Sequence, residues 1–402
     1  MNIWMLNHYA NPPDIPGSTH HFDLATELVK QGHKITIFAS SFGHYTRRED
    51  RLKEGQNYRR ENIGGVEFVW IRTSPYYKGN DWRRVMNMLS YFIRVIPLGL
   101  KIRENPDVII ASSPHPFAGL AGWLLAKFKR SKFVFEVMDL WPQTLIDIGG
   151  YGTKNPIVIG LRILEKFLYK KAKKIIVLMP NAFEYINNLG IPSEKIVFIP
   201  ISANASLFQS DGTELPQSLA DLISSLKSAG KIIIGYTGAH DKHDSLDTII
   251  DAAKLLQNEG KDKLHFLLVG SGAEKERVVR RAQDLELVNI SFSRPVPKTA
   301  MPMLLNKLDI AIMCRRQTAL YKYGMSTNKL WDYMMAAKPV AWAIDSVNNP
   351  VAEADCGITV PPEDAEEMAK AIMKLCDLSD EERQEMGMRG YEYVMKYHSV
   401  PV

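Results

Sequence analysis

Over the first 200 residues, short apolar runs alternate with longer amphipathic stretches. The runs at 2–6, 34–39, 66–71, 108–111, 132–137, 174–178 and 196–200 predict strands. Between them, residues 22–31, 82–102, 116–127 and 157–172 place apolar side chains at helical spacing, and Gly32 ends the first of these helices. Residues 10–19 hold three prolines and Gly17, which predicts a loop. A polar, turn-rich stretch at 209–217 marks the expected domain boundary, and the pattern restarts after Gly230. Strands are then predicted at 231–236, 265–269, 289–292, 310–313, 339–343 and 358–360, and helices at 246–259, 274–287, 301–306, 328–337, 365–375 and 380–397. Strands that alternate with helices imply βαβ units and parallel sheets. The expectation is therefore an α/β chain of two doubly wound domains, 1–205 and 206–402, facing across a cleft, with the last helix packing back on the first domain. Ligands of such domains sit at the carboxyl ends of strands.

Composition narrows the function classes. A chain of 402 residues with 46% hydrophobic and 24% charged residues is globular, neither disordered nor collagen-like. The net charge of +5 is unevenly spread: residues 1–200 hold 27 Lys+Arg against 17 Asp+Glu, and residues 201–402 hold 23 against 28. The basic half is expected to face something anionic. Three cysteines without a CxxC spacing make neither a disulfide framework nor a zinc site. The opening MNIWMLNHYANPP lacks the basic and apolar regions of a secretory signal, and no run of about 18 apolar residues predicts a membrane span. Arg83, Arg84, Arg94, Lys101 and Arg103 punctuate a segment carrying Trp82, Tyr91 and Phe92. Two readings stay open for it, an interfacial amphipathic helix and a surface helix with a solvated basic face. No nucleic-acid partner is expected, because the aromatics sit among aliphatics and form no exposed platform.

Several strand-to-helix junctions carry candidate chemistry. In the first half, Gly17 lies in a loop before a helix, where it lets the backbone approach a ligand and Ser18 or Thr19 can cap the helix or donate to a phosphate; a plain capped loop fits as well. His115 follows one strand end, and Glu136 and Asp139 follow the next, beside Trp141 and Pro142. In the second half, Gly238 and Lys242 lie in the loop after the first strand, together with His240, Asp241, His243 and Asp244. An anion contact and a solvated loop both suit that loop better than a metal site, which needs convergent, fixed ligands. Gly270 marks the next such turn. The stretch from Gly324 through Ser326, Thr327, Asn328 and Lys329 to Asp332 is the most informative one. Ser326 or Thr327 is expected to cap a helix whose free N–H groups form an anion seat. Lys329 adds a cation, and Asp332 follows Asn328 by one helical turn, placed to accept hydrogen bonds from sugar hydroxyls.

Taken in order, these segments resemble a known family over nearly the whole chain. They are Leu6-Asn7-His8-Tyr9 with Pro16-Gly17-Ser18-Thr19, then Glu136-Val137-Met138-Asp139-Leu140-Trp141-Pro142, then Gly324 to Met334 followed by Ala337-Lys338-Pro339-Val340. The chain resembles the family 4 (group 1) retaining glycosyltransferases of the GT-B fold, in the branch that builds O-antigen and capsule polysaccharides. The resemblance implies two Rossmann-like domains, an acceptor-binding one first and a donor-binding one second. It implies transfer of a sugar, an N-acetylated hexosamine or deoxy-hexosamine, from a nucleotide diphosphate such as UDP. The acceptor would be a polyprenyl-diphosphate-linked glycan, and the working place the inner face of the cytoplasmic membrane, at an anionic surface. No metal or other cofactor is implied.

For the donor, the resemblance maps the pyrophosphate onto Gly324, Ser326, Thr327 and Asn328 and the ribose onto Asp332, with Lys329, Gly17, Gly270 and Arg294 completing the expected set. The chain departs from the family pattern in two places. Gly324 stands where the family's first motif glutamate would be, and Lys242 is the sole cation in the loop that normally supplies an Arg and a Lys. Arg315 and Arg316 are the expected substitutes. Asp139, Glu136 and His115 are the expected catalytic-side residues, for positioning and not for nucleophilic attack. A GT-B nucleotide-sugar epimerase or hydrolase, and an inactive nucleotide-sugar-binding partner, remain the alternatives.

Overall fold

A computed structural model describes residues 1–77, 82–209 and 213–399. Part of the expected boundary stretch, 210–212, lies outside them. The chain forms two compact units. One comprises Met1–Pro12, Gly17–Ile201 and Thr318–Ser326; the other comprises Pro13–Pro16, Ser202–Gln317 and Thr327–Val402.

The first unit holds the strands β1 (Asn2–Leu6), β2 (Lys34–Ser40), β3 (Tyr58–Ile63), β4 (Val66–Ile71), β5 (Val108–Ser112), β6 (Lys132–Val137), β7 (Lys174–Val177) and β8 (Ile196–Phe198). Its helices are α1 (His20–Lys30), α2 (Trp82–Lys101), α3 (Pro116–Lys129), α4 (Gln143–Asp147), α5 (Pro156–Lys171) and α6 (Ala182–Asn188). The sheet order is β3-β4-β2-β1-β5-β6-β7-β8, parallel except for the β3–β4 pair. Runs such as Ile3–Leu6 and Ile35–Ser40 are buried on both faces, as a sheet covered by helices on both sides requires. β3 escapes the apolar pattern because its sequence, YRRENI, is an exposed edge; Arg60 pairs with Glu67 of β4 at 2.7 Å. Charged edge strands of this kind discourage pairing with another chain.

A buried carboxyl ties α5 to α6. Glu165 accepts hydrogen bonds from the hydroxyls of Tyr169 and Tyr185, each at 2.9 Å. Burial pushes its pKa up to about 8, against the pull of those two hydroxyls. The folded state therefore holds this proton more tightly than the unfolded chain. The resulting stability is full below about pH 4.5 and is lost as pH rises towards 8. Glu165→Gln is expected to flatten that decline, whose slope is up to about 1.4 kcal/mol per pH unit. Urea midpoints measured between pH 5 and 8 check this, and parallel pH profiles for the two proteins would refute it.

The second unit opens with α7 (Ala205–Phe208) and α8 (Gln217–Ser228). Its strands are β9 (Ile232–Ala239), β10 (Leu264–Ser271), β11 (Ile290–Ser293), β12 (Ile310–Cys314), β13 (Val340–Ala343) and β14 (Gly357–Val360). They alternate with α9 (Leu246–Asn258), α10 (Lys275–Asp284), α11 (Met301–Asn306), α12 (Asn328–Met335), α13 (Pro350–Glu353), α14 (Ala365–Asp377) and α15 (Asp380–Tyr397). All six strands are parallel, in the order β11-β10-β9-β12-β13-β14. The order reverses between β9 and β12, and the loops after these two strands flank that switch point, where doubly wound sheets bind ligands. α15 packs against α12 of its own unit, with His398 stacked on Trp331 at 3.9 Å.

Candidate functional site

The second unit gathers charge at that switch point. Asp244, between β9 and α9, is fully buried. Its Oδ1 accepts from Arg315 Nη1 at 2.7 Å and from Lys329 Nζ at 2.5 Å. Arg315 comes from the end of β12 and Lys329 from the first turn of α12, so three elements meet at one oxygen. Burial alone would raise the Asp244 pKa, but the cations of Lys329 and Arg315 hold it well below the ordinary range. Burial in turn lowers the Lys329 ammonium, against the attraction of Asp244. Lys329 also donates to the Tyr236 hydroxyl at 2.6 Å, and Arg315 Nη2 donates to Thr327 Oγ1 at 3.3 Å.

This group holds two cations and one carboxylate. Its charges sum to one positive, which favours an anion beside it. Asp244 Oδ2 and both ring nitrogens of the fully buried His240 have no hydrogen-bond partner. Burial keeps His240 neutral, lowering its pKa to about 3.

Thr327 is the residue before α12, yet its side chain makes no capping hydrogen bond to the helix. The expected cap from Ser326 or Thr327 is not formed, for a physical reason. The Ser326 hydroxyl accepts from Ile201 N at 3.1 Å, within the first unit, and the Thr327 hydroxyl is turned to Arg315. Neither hydroxyl is thus left to cap the first turn of α12. Gly324 (φ +93°) closes the turn before this stretch and groups with the first unit, as does Ser326.

Glycine at 238 answers to close approach. Its φ is +142°, and a Cβ there would stand 2.5 Å from Lys329 Cε. A Cβ on Gly270 would collide with the Gly238 carbonyl. Gly238→Ala is therefore expected to push Lys329 off Asp244 and to destabilise the fold by about 1–3 kcal/mol. Urea midpoints check this, and an unchanged midpoint would show that the Gly238 backbone does not need its closeness to Lys329.

The remaining expected donor residues fall elsewhere. Asp332, expected to face a sugar, is buried and ion-paired with Lys298. Burial raises its pKa, opposed by Lys298. Lys242 and Arg316 line a cavity of about 290 Å³ beside the start of α9, which Arg277, Asp247 and Glu274 also line. Arg277 there is bonded to Asp247 and Glu274. Arg294 is exposed just after β11. Asn328 opens α12 itself.

The first unit carries its own cluster. Glu136, at the end of β6, is buried and held from three sides. His20 Nε2 lies 3.1 Å from one carboxylate oxygen, His21 Nε2 lies 2.6 Å from the other, and Ser112 Oγ donates to that second oxygen. Burial would raise the Glu136 pKa, but His21 and His20 hold it well below the usual carboxylate value. Among the described residues these three are the one group of His, Cys, Asp or Glu side chains whose atoms converge as metal ligands would. They are equally a closed hydrogen-bonded set, and residues 240–244 form no such group. His115 caps α3, accepting from Ala118 N at 3.2 Å, and its Nε2 lies 3.1 Å from His8 Nδ1. Burial lowers both imidazoles, His8 to about 3. Asp139 is exposed, and its backbone N–H donates to Ser113 Oγ at 3.2 Å. Gly17 (φ +139°) packs beside Asn11 and Tyr45.

Sequence reasoning passed over Asp244 as an organiser, and over Lys298, His20 and His21. Asp244 was visible only as one polar residue of a loop. The His-His pair at a helix start was the available signal for the other cluster.

Residues 18–202 match the Glycosyl transferase 4-like domain, and residues 231–377 match Glycosyl transferases group 1. WcaI of Escherichia coli K12, named for glycosyl transfer in colanic acid biosynthesis, is 24% identical over 301 residues, which are 73% of this chain and 71% of WcaI. WbjE of Pseudomonas aeruginosa, named a glycosyltransferase, is 22% identical over 74% of this chain and 72% of its own. The fold is similar to that of sucrose-phosphate synthase from Thermosynechococcus elongatus, with a TM-score of 0.73 and 17% identity over 99% of this chain and 95% of that one. It is also similar to HepE of Anabaena in complex with UDP-glucose, with a TM-score of 0.66 and 13% identity over 100% and 96%. With a 4-like domain matched in its first unit and a group 1 domain in its second, on two parallel-sheet α/β units of the GT-B kind, the chain is a glycosyltransferase of group 1.

Proposed function

We propose that the chain moves an N-acetylated hexosamine or deoxy-hexosamine from UDP to a polyprenyl-diphosphate-linked glycan, with retained configuration, in the synthesis of a cell-surface polysaccharide. The observation that carries the donor half is the Asp244–Arg315–Lys329 group, whose excess positive charge suits a diphosphate. Departure of that diphosphate is the main electrostatic cost of the reaction, and preorganised cations and helix N–H groups meet it. HepE was captured with UDP-glucose and a trehalose-6-phosphate enzyme of E. coli with UDP-2-fluoro glucose, which favours UDP. The kinship with WcaI favours a surface-polysaccharide acceptor. A lipid-linked acceptor puts the working enzyme at the cytoplasmic face of the membrane.

Both oxygens of Glu136 are taken by His20, His21 and Ser112, so this carboxylate is read as a scaffold and not as a nucleophile. Retention then proceeds by front-face attack. The bond from the anomeric carbon to the diphosphate breaks, the acceptor oxygen bonds to the same face, and its proton passes to the departing phosphate oxygen. The reaction is read as metal-independent, so turnover should survive chelation by EDTA. A thermal-shift screen of UDP-, GDP-, dTDP- and ADP-sugars tests the donor. A ligand present at about 100 times its Kd adds roughly 2.7 kcal/mol of stability, enough to raise Tm measurably. No shift with any UDP-sugar would overturn the donor assignment.

A further inference from the structure

The helices α2, α3 and α5 lie side by side, α2 against α3 and α3 against α5: α3 and α5 each cross between neighbouring parallel strands, and α2 makes the longer crossover from β4 to β5. Aromatic pairs stitch them together. Phe92 of α2 meets Phe117 of α3 at 6.3 Å, and Trp123 of α3 meets Phe167 of α5 at 4.8 Å. The outward side of this layer is apolar. On α2 the exposed Trp82, Met86, Ile93 and Leu100 recur at spacings that keep them on one face. Trp82 is 69% exposed and Ile93 65%. On α5 Ile159 and Ile163 are exposed, the latter at 68%.

Charge on the same helices has a single sign. The α2 and α3 sequences contain no carboxylate, and α5 contains only Glu165, which is buried between two tyrosines. Cations border the apolar residues: Arg83, Arg94 and Lys101 on α2, Lys127 on α3, and Lys166 and Lys170 on α5. Lys127 Nζ sits 5.8 Å from the centre of the Trp123 ring. Among the described residues no helix is long and apolar enough to cross a membrane. Exposed aliphatic and aromatic side chains ringed by Lys and Arg match a bilayer that offers acyl chains below and anionic head groups above. A soluble protein partner would more commonly meet such a ring with carboxylates placed one by one, whereas a leaflet supplies negative charge along the whole length of α2, about 30 Å.

We propose that the outward face of α2, α3 and α5 is one continuous docking surface for an anionic phospholipid bilayer, with Trp82, Ile93 and Ile163 entering the head-group layer. This deepens the reading of a membrane-borne acceptor, and it can be tested without donor or acceptor. The full chain is sedimented with vesicles of phosphatidylcholine, with and without phosphatidylglycerol, at low and high salt. Binding is expected only with phosphatidylglycerol and is expected to weaken with salt. Ile93→Glu and Ile163→Glu should each lower partitioning at least about tenfold. Lys166→Gln and Lys170→Gln should each lower it about fivefold. All four positions lie on the surface, so Tm should hold, and Val288→Glu, on an exposed residue of the second unit, should leave binding intact.

Loss of binding in Ile93→Glu with full binding in Ile163→Glu would overturn the three-helix surface. Equal binding to neutral vesicles, or none to either kind, would overturn the anionic bilayer. A dimer in solution that Ile163→Glu dissociates, without vesicle binding, would assign the face to a second copy instead. Failure of the glycosyl-transfer reading shows separately, as absence of any UDP-sugar thermal shift in the same protein.

Discussion

Lys329→Met is expected to cut turnover of the nucleotide sugar by about 10²–10³-fold while leaving the fold as stable as before, or more so. Two of the three ammonium donors of Lys329 are engaged, by Asp244 at 2.5 Å and Tyr236 at 2.6 Å, which leaves one for a ligand oxygen. Methionine keeps the apolar stem and removes both charge and donor. Asp244 then keeps Arg315 at 2.7 Å, and a buried group with one cation too many becomes a balanced pair. Opposite signs for activity and stability are the signature of a site that holds excess charge for a ligand. Initial rates and urea midpoints on the same preparation give both readouts. Near-normal turnover would take the cluster out of the proposed donor site.

Asp244→Asn should act the other way on stability. It leaves Arg315 and Lys329 side by side in a buried place with no carboxylate between them. Breaking a buried pair in this way costs about 3–5 kcal/mol. The loss should be partly recovered by UDP, whose diphosphate supplies negative charge, and by adding Lys329→Met in the same chain, a coupling that a double-mutant cycle measures. The pH dependence has a definite sign. Burial opposes ionisation of Asp244, yet Lys329 and Arg315 hold its pKa below the ordinary 3.8. Its contribution is therefore present above about pH 4 and is lost as pH falls through the lower folded value. A Asp244→Asn protein as stable as the parent, with no gain from UDP, would show that the carboxylate does not organise the two cations.

How much of this was readable beforehand depends on distance along the chain. Apolar runs such as Ile35–Ala39 and amphipathic stretches such as Trp82–Lys101 announced themselves, because burial on a covered sheet or on one helix face prints directly onto spacing. β3 did not, because an exposed antiparallel edge strand of Arg, Glu and Asn has no apolar signature. Gly238, Arg315, Thr327 and Lys329 were singled out from local pattern, and the structure brings them together. Their organiser was not singled out, since Asp244 meets Arg315 across 71 positions and Lys329 across 85. Asp332 shows the reverse case. Its helical register followed from the sequence, but its partner Lys298 lies 34 residues upstream in a separate turn. Spacing reports which face a residue occupies; which charge waits there is decided by tertiary folding.

The division of the chain bears on how such enzymes can be recombined. Residues 318–326 count with the first unit, where Leu320 and Tyr323 enter its core and Tyr323 O accepts from Asn181 N at 3.0 Å. Residues 13–16 count with the second, where Thr299 N donates to Pro13 O at 3.2 Å. A chimera spliced once near residue 202, to graft the second half of one relative onto the first half of another, would import a foreign Leu320–Tyr323 into a core that did not evolve with it. Exchange of halves between relatives should therefore succeed with several splice points, the first unit keeping its own 318–326 and the incoming half bringing its own 13–16.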